Sequence, residues 1–223
     1  EIRCDFNVSE NCKQVWVCTK RCINRTKQKN NGMIICLPCS RKIKFAGRNN
    51  PNAKYLSLND TLFQNITPDL AYCLGWIAGD GSIKKNSISI AINASDIDIL
   101  CKIRNIICSE LPISPKSNSS LVSLTINSQQ IVNDVCELLK IKPGDKHLNV
   151  SMPSFNDDRL TWAFLRGIFD ADGSVSGIDS QKTSPQCSLS SSSSQMKEDV
   201  KQFVPMPCSN STHGLYWSGN NAL

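Results

Sequence analysis

The feature that most limits what this chain can become is a stretch it contains twice. Shifting the sequence by 92 residues lays LGWIAGDGS (Leu74 to Ser82) over RGIFDADGS (Arg166 to Ser174). Each copy carries small residues about four apart: Ala71, Gly75 and Ala78 or Gly79 in the first, Ala163, Gly167 and Ala171 in the second. That spacing places them on one face of a helix, and a face without bulk lets two helix backbones come close. Two such helices in one chain predict a side-by-side pair ending at the same level, with Asp80 and Asp172 next to each other. Gly81 and Gly173 are then expected to close the helices as left-handed C-caps.

Around each copy the order of elements repeats. ITPDLAYCLGWIAGD reads as a helix, SISIAIN (Ser87 to Asn93) alternates as a strand, and SDIDILCKIRNIIC reads as a helix capped by Ser95–Asp96. LVSLTIN is a second strand, SQQIVNDVCELLK (Ser128 to Lys140) a further helix, and DRLTWAFLRGIFDAD the second motif helix. A shift of 99 lays ISIAINASDID over CSLSSSSSQMK, and a shift of 91 lays LTINSQQIV over LYWSGNNAL. Three matches in the same order indicate an internal duplication. The serine run Ser190 to Ser194 is therefore read as a strand end and the cap of helix QMKEDVKQF, with Met196, Val200 and Phe203 on one face. The fold class expected is mixed α+β, and the chain divides into a cysteine-rich module over 1–45, a linker over 46–60, a first half over 61–153 and a second half over 154–223. The second half ends two apolar residues into its last matching helix, so the natural protein is expected to continue beyond it.

Charge and cysteine are both concentrated at the start. Residues 1–60 carry +8 and the remainder −2, a basic head on a near-neutral body that suits a polyanion such as nucleic acid. Six of the twelve cysteines fall within the first 39 residues. The N-terminus, EIRCDFNVSENC, lacks the apolar stretch of a secretory signal, which moves metal binding ahead of disulfides. Cys36 and Cys39 have zinc half-site spacing, and Cys18 with Cys22 is the nearest second pair, with Cys4 and Cys12 competing. Arg41, Lys42 and Lys44 follow directly and would add DNA contacts. Cys73, Cys101, Cys108, Cys136, Cys187 and Cys208 lie among apolar residues and read as small core fillers. No run of eighteen apolar residues predicts a membrane span. The expected setting is inside the cell, wherever target DNA lies, neither secreted nor in a membrane.

Asp80 and Asp172 sit where the helix dipole disfavours them. Two carboxylates at two helix C-termini repel each other as well, so a proton or a cation must lie between them. A hard divalent metal, Mg²⁺ or Mn²⁺, suits oxygen ligands. Beside a basic protein that chemistry points to phosphodiester hydrolysis.

LRGIFDADG resembles the signature of the LAGLIDADG homing endonucleases, with CLGWIAGDG (Cys73 to Gly81) as a more diverged first copy. The resemblance spans about residues 55–223. It implies a pseudo-twofold pair of αββαββα halves in one monomer, each presenting a saddle-shaped antiparallel sheet to the DNA major groove. It implies metal-dependent cleavage of both strands at a long target site by Asp80 and Asp172, with the carbonyls of Gly79 and Ala171 as possible further ligands. The resemblance places the earlier motif acid at Asp170 in the second copy and at Ala78 in the first, and implies that this position supports helix geometry. Lys146 resembles the basic cleft residue of the family. On the strands facing DNA, Lys84, Lys85, Ser87, Ser89 and Asn93 are candidate contacts to phosphates or bases. The rival functions are an RNA maturase, an intron-splicing cofactor of similar appearance, and a non-catalytic DNA-binding regulator on the same fold. Retention of both aspartates favours the nuclease.

Overall fold

A computed structural model describes the backbone of residues 27–30 and 33–36, and residues 58–144, 149–178 and 184–219 in full. Its helices are α1 (Pro68–Gly79), α2 (Ile97–Ile107), α3 (Gln129–Leu139), α4 (Asp158–Asp172) and α5 (Ser194–Phe203). The strands are β1 (Lys27–Asn30), β2 (Met33–Cys36), β3 (Gly81–Lys84), β4 (Ser87–Asn93), β5 (Ile113–Pro115), β6 (Leu121–Ile126), β7 (Gly173–Ser176), β8 (Gln186–Ser190), β9 (Ser209–Asn210) and β10 (Gly214–Ser218). Strands β1 and β2 form an antiparallel ribbon with Lys27 opposite Cys36. The rest make two four-stranded sheets, ordered β3-β4-β6-β5 and β7-β8-β10-β9. The protein is thus mixed α+β, and the two sheets share one strand order, as a duplicated sequence should. Two compact units are distinguished: Glu1–Asn59 with Ser89–Ile126, and Asp60–Ile88 with Asn127–Leu223.

Local chemistry explains the element ends. Thr67 caps α1 by accepting the Leu70 N–H at 3.3 Å, with Pro68 at the first helical position. Ser128 caps α3 through the Ile131 N–H at 3.2 Å. Ser193 caps α5 through the Met196 N–H at 3.2 Å, which places the serine run as the duplication predicts. Strand β4 buries Ile88, Ile90 and Ile92 and turns Ser87, Ser89 and Asn93 outward. On α5, Met196 and Val200 are buried, while the Phe203 ring meets Trp162 edge-on at 5.1 Å.

Several expectations change. Neither Gly81 nor Gly173 is a left-handed cap; each begins a strand, and Gly173 is extended at φ −88°. Their lack of a side chain serves close approach instead. A Cβ on Gly81 would fall on the Ile77 carbonyl oxygen and lie 2.8 Å from Ile77 Cα, and one on Gly173 would fall on the Phe169 carbonyl. Helix α2 is not capped by the side chains of Ser95 or Asp96. A 3-10 turn over Ala94–Asp96 precedes it, and Asn93 Oδ1 accepts the Ser95 N–H at 3.2 Å. Cys73, Cys108 and Cys136 are buried free thiols, and Cys187 and Cys208 are half-buried ones. Cys101 is buried but disulfide-bonded, which departs from the reading of all six as plain core fillers. Among the described residues no helix is long and apolar enough to cross a membrane.

Candidate functional site

The two motif helices pack face to face through their glycines. A Cβ on Gly75 would fall on the Phe164 carbonyl oxygen and lie 2.6 Å from Ile168 N; one on Gly167 would fall on the Tyr72 carbonyl and lie 3.1 Å from Gly75 Cα. Four residues further along α1, a Cβ on Gly79 would meet Ala171 Cβ at 2.6 Å and Asp172 Oδ2 at 3.1 Å. Moving four residues along one helix moves the contact four along the other, so the pair runs in parallel and its C-termini lie together. Asp172 therefore sets its carboxylate against the end of α1, where Asp80 is the C-cap and donates its N–H to the Trp76 carbonyl at 3.0 Å. The small residues read from the sequence are what make this approach possible; any side chain at Gly75 or Gly167 would force the backbones apart.

This end of the helix pair is strongly electronegative. Two parallel helices present the negative ends of their dipoles together, and two carboxylates add to them. Asp80 is exposed and Asp172 half-buried. Among the described residues no three His, Cys, Asp or Glu side chains gather into a metal-holding group. A cation here would accordingly complete its shell with carbonyls, as Gly79 and Ala171 could supply, and with water or phosphate oxygens. The donor set fits a hard divalent ion.

The earlier acid of the second copy has a different environment. Asp170 Oδ2 accepts the Tyr72 hydroxyl at 2.9 Å across the helix pair, and the Arg166 guanidinium approaches it at 3.9 Å. The same guanidinium stands 5.7 Å from the centre of the Tyr72 ring. Burial pushes the Tyr72 phenol above its ordinary value; the Trp76 side chain beside it pulls the other way, and Asp170 adds to the rise. The sequence did not single out Tyr72 or Arg166, because 98 residues separate Tyr72 from its acceptor.

Lys84 and Lys85 are exposed at the β3–β4 turn, and Ser87 and Ser89 face outward from the sheet. Asn93 is also outward, though its carboxamide oxygen is engaged in its own turn. Overlooked in the sequence is the matching face of the other sheet. There Ser174 lies opposite Ser188, which lies opposite Tyr216, while Ser176 lies opposite Gln186 and Gln186 opposite Ser218. These residues alternate with buried Leu189, Leu215 and Trp217, so they form one outward polar face. The signal was present: the shifts of 92 and 99 that define the duplication carry Lys84, Ser87 and Ser89 onto Ser176, Gln186 and Ser188. Lys146, Cys18, Cys22, Cys39, Arg41, Lys42, Lys44 and the side chain of Cys36 lie outside the described residues.

Residues 160–204, which include most of the second motif helix, match the family model of the LAGLIDADG-like domain. No curated protein matches the chain. Among solved structures, the N-terminal LAGLIDADG domain of DUF199/WhiA is 15% identical with a TM-score of 0.43, the likeness covering 73% of this chain and 83% of that one. The meganuclease I-SmaMI bound to uncleavable DNA is 12% identical with a TM-score of 0.45, over 68% of this chain and 80% of that one. The I-SmaMI LAGLIDADG homing endonuclease bound to cleaved DNA is 14% identical with a TM-score of 0.43, over 69% and 77%.

Proposed function

We propose that this protein is a site-specific double-strand DNA endonuclease that hydrolyses phosphodiester bonds at the paired ends of α1 and α4. The observation that carries this reading is the approach of the Asp172 carboxylate to within 3.1 Å of the Cβ position of Gly79, the residue before Asp80. A protein that only bound DNA would gain nothing from two acids at two helix C-termini, since they repel phosphate as well as each other. The match of residues 160–204 to the LAGLIDADG-like domain supports the same reading.

In this proposal Asp80 and Asp172, with the carbonyls of Gly79 and Ala171, would hold Mg²⁺ or Mn²⁺. A divalent ion held there would supply Lewis-acid chemistry, polarising a phosphate and lowering the pKa of a bound water. The chain's own part is positional. The glycine contact fixes how near the two carboxylates stand, and the outward polar rows of the two sheets supply Ser, Gln, Asn and Tyr groups able to contact base edges. Lys84 and Lys85 add phosphate contacts that set register without reading sequence. The basic residues Arg41, Lys42 and Lys44 would extend that contact, and Cys18, Cys22, Cys36 and Cys39 would hold Zn²⁺. Lys146 is assigned the stabilisation of developing charge.

The test is cleavage of a plasmid library of randomised inserts with Mg²⁺, comparing the full chain with Asp172→Asn and Asp80→Asn. The expected result is recurrent cutting at one long sequence by the full chain, with each variant slower by at least about 100-fold. Selective retention of one sequence with no cutting would replace this reading with a DNA-binding regulator. Promotion of intron splicing without DNA cleavage would replace it with a maturase.

A further inference from the structure

We infer that Tyr72 is a positioning residue for the paired aspartates, setting the axial register of α4 against α1 through its hydrogen bond to Asp170; this rests on the nuclease reading of Asp80 and Asp172. A contact made of glycine and alanine fixes how close two helices come but defines their sliding and rotation poorly, because it has no interlocking bulk. A directional hydrogen bond across the pair defines both. The Tyr72 hydroxyl reaches Asp170 Oδ2 at 2.9 Å, and Asp170 is two residues from Asp172. A slip of α4 that lengthened this bond would also shift the Asp172 carboxylate relative to the end of α1.

The duplication gives an independent reason to see the bond as directional rather than incidental. The shift of 92 residues carries Tyr72 onto Phe164, Trp76 onto Ile168, Leu74 onto Arg166 and Ala78 onto Asp170. The interacting set Tyr72, Asp170 and Arg166 thus has the counterpart Phe164, Ala78 and Leu74, which are 0%, 4% and 0% exposed. One side of the helix pair is locked by polar groups while its equivalent is filled by apolar ones. This also accounts for alanine at position 78. Its equivalent partner is Phe164, which has no hydroxyl to give, so an aspartate there would be buried beside a ring. The polar pair removes the equivalence of the two sides and so selects one arrangement of the helices.

The test compares the full chain with Tyr72→Phe and with Tyr72→Phe/Asp170→Ala, the double variant reproducing the phenylalanine–alanine pair found on the other side. Three quantities are read: thermal unfolding, Mn²⁺ affinity by the loss of free-ion signal in electron paramagnetic resonance, and kcat and KM on the cleaved DNA. The expected outcome is that the double variant unfolds near the wild-type temperature yet binds Mn²⁺ about tenfold more weakly, with kcat down by a similar factor and KM unchanged. A double variant that binds Mn²⁺ and turns over like the wild type would show a merely structural bond and overturn the inference. Failure of the parent reading is distinguishable: there the wild-type chain itself would neither bind Mn²⁺ through Asp80 and Asp172 nor cut DNA.

Discussion

The two copies of the repeat begin from nearly the same pattern and end in different states of burial. In the first, Ile83 on β3 and Ile88 on β4 are 4% and 0% exposed. Their equivalents in the second are Val175, which is 51% exposed, and the half-buried Cys187, paired with each other across β7 and β8. The first copy has a cover that reaches back: after α3 the chain buries Ile141, and the Gly144 N–H donates to the Ile83 carbonyl at 3.0 Å. Among the described residues no helix follows β10. An alternating strand pattern therefore specifies which face turns inward, but not how far that face loses its water. The hydrophobic gain follows only from that loss.

Four variants sharpen this contrast, beginning with the largest effect. Gly167→Val should cost about 4 kcal/mol, because its side chain would fall on the Tyr72 carbonyl where both copies meet. Denaturant unfolding reads the loss, and a cost near zero would mean the helices are not held at this distance. Ile83→Ala should cost about 3 kcal/mol through the cavity left in a closed core. Val175→Ala at the equivalent position should change stability by less than about 0.5 kcal/mol. Equal costs for those two substitutions would erase the distinction between the copies. Ser193→Ala should cost about 2 kcal/mol, since this fully buried hydroxyl both caps α5 and donates to the Val150 carbonyl at 2.6 Å.

The smallest effect is one of pH. The Tyr72 phenol is raised above its ordinary value of about 10, chiefly by burial, so the folded state prefers the protonated form. Its contribution is fully present below the unfolded-state pKa and lost as pH rises through the higher folded one. Stability should thus fall at alkaline pH above about 10, and Tyr72→Phe should flatten that arm of the profile. An identical alkaline arm in the variant would assign the loss to another group.

Much of this was legible in the sequence where a period was long enough to register. The spacing predicts helix α4 over Asp158–Asp172 and strand β4 over Ser87–Asn93, because each carries several repeats of its own period. Strands β3, β5, β7 and β9 have four, three, four and two residues, too few for alternation to show. The pairing of the acidic helix ends was legible because small residues in two copies point to one contact. The hydroxyl that engages Asp170 was not, since nothing local to Tyr72 marks its partner. The role of Gly81 and Gly173 is hidden from the sequence for the same reason. A glycine after a helix signals conformational freedom or close approach equally well, and only the position of Ile77 and Phe169 separates the two.

By itself the sequence determined the duplication, the alternation of helix and strand, and the two small-residue faces that must meet, because each is a property of spacing along the chain. The tertiary structure decided that the Tyr72 hydroxyl engages Asp170. It decided, too, that Gly81 and Gly173 serve close approach. Those outcomes depend on which groups meet within a few ångströms, and spacing along a chain carries no record of that distance.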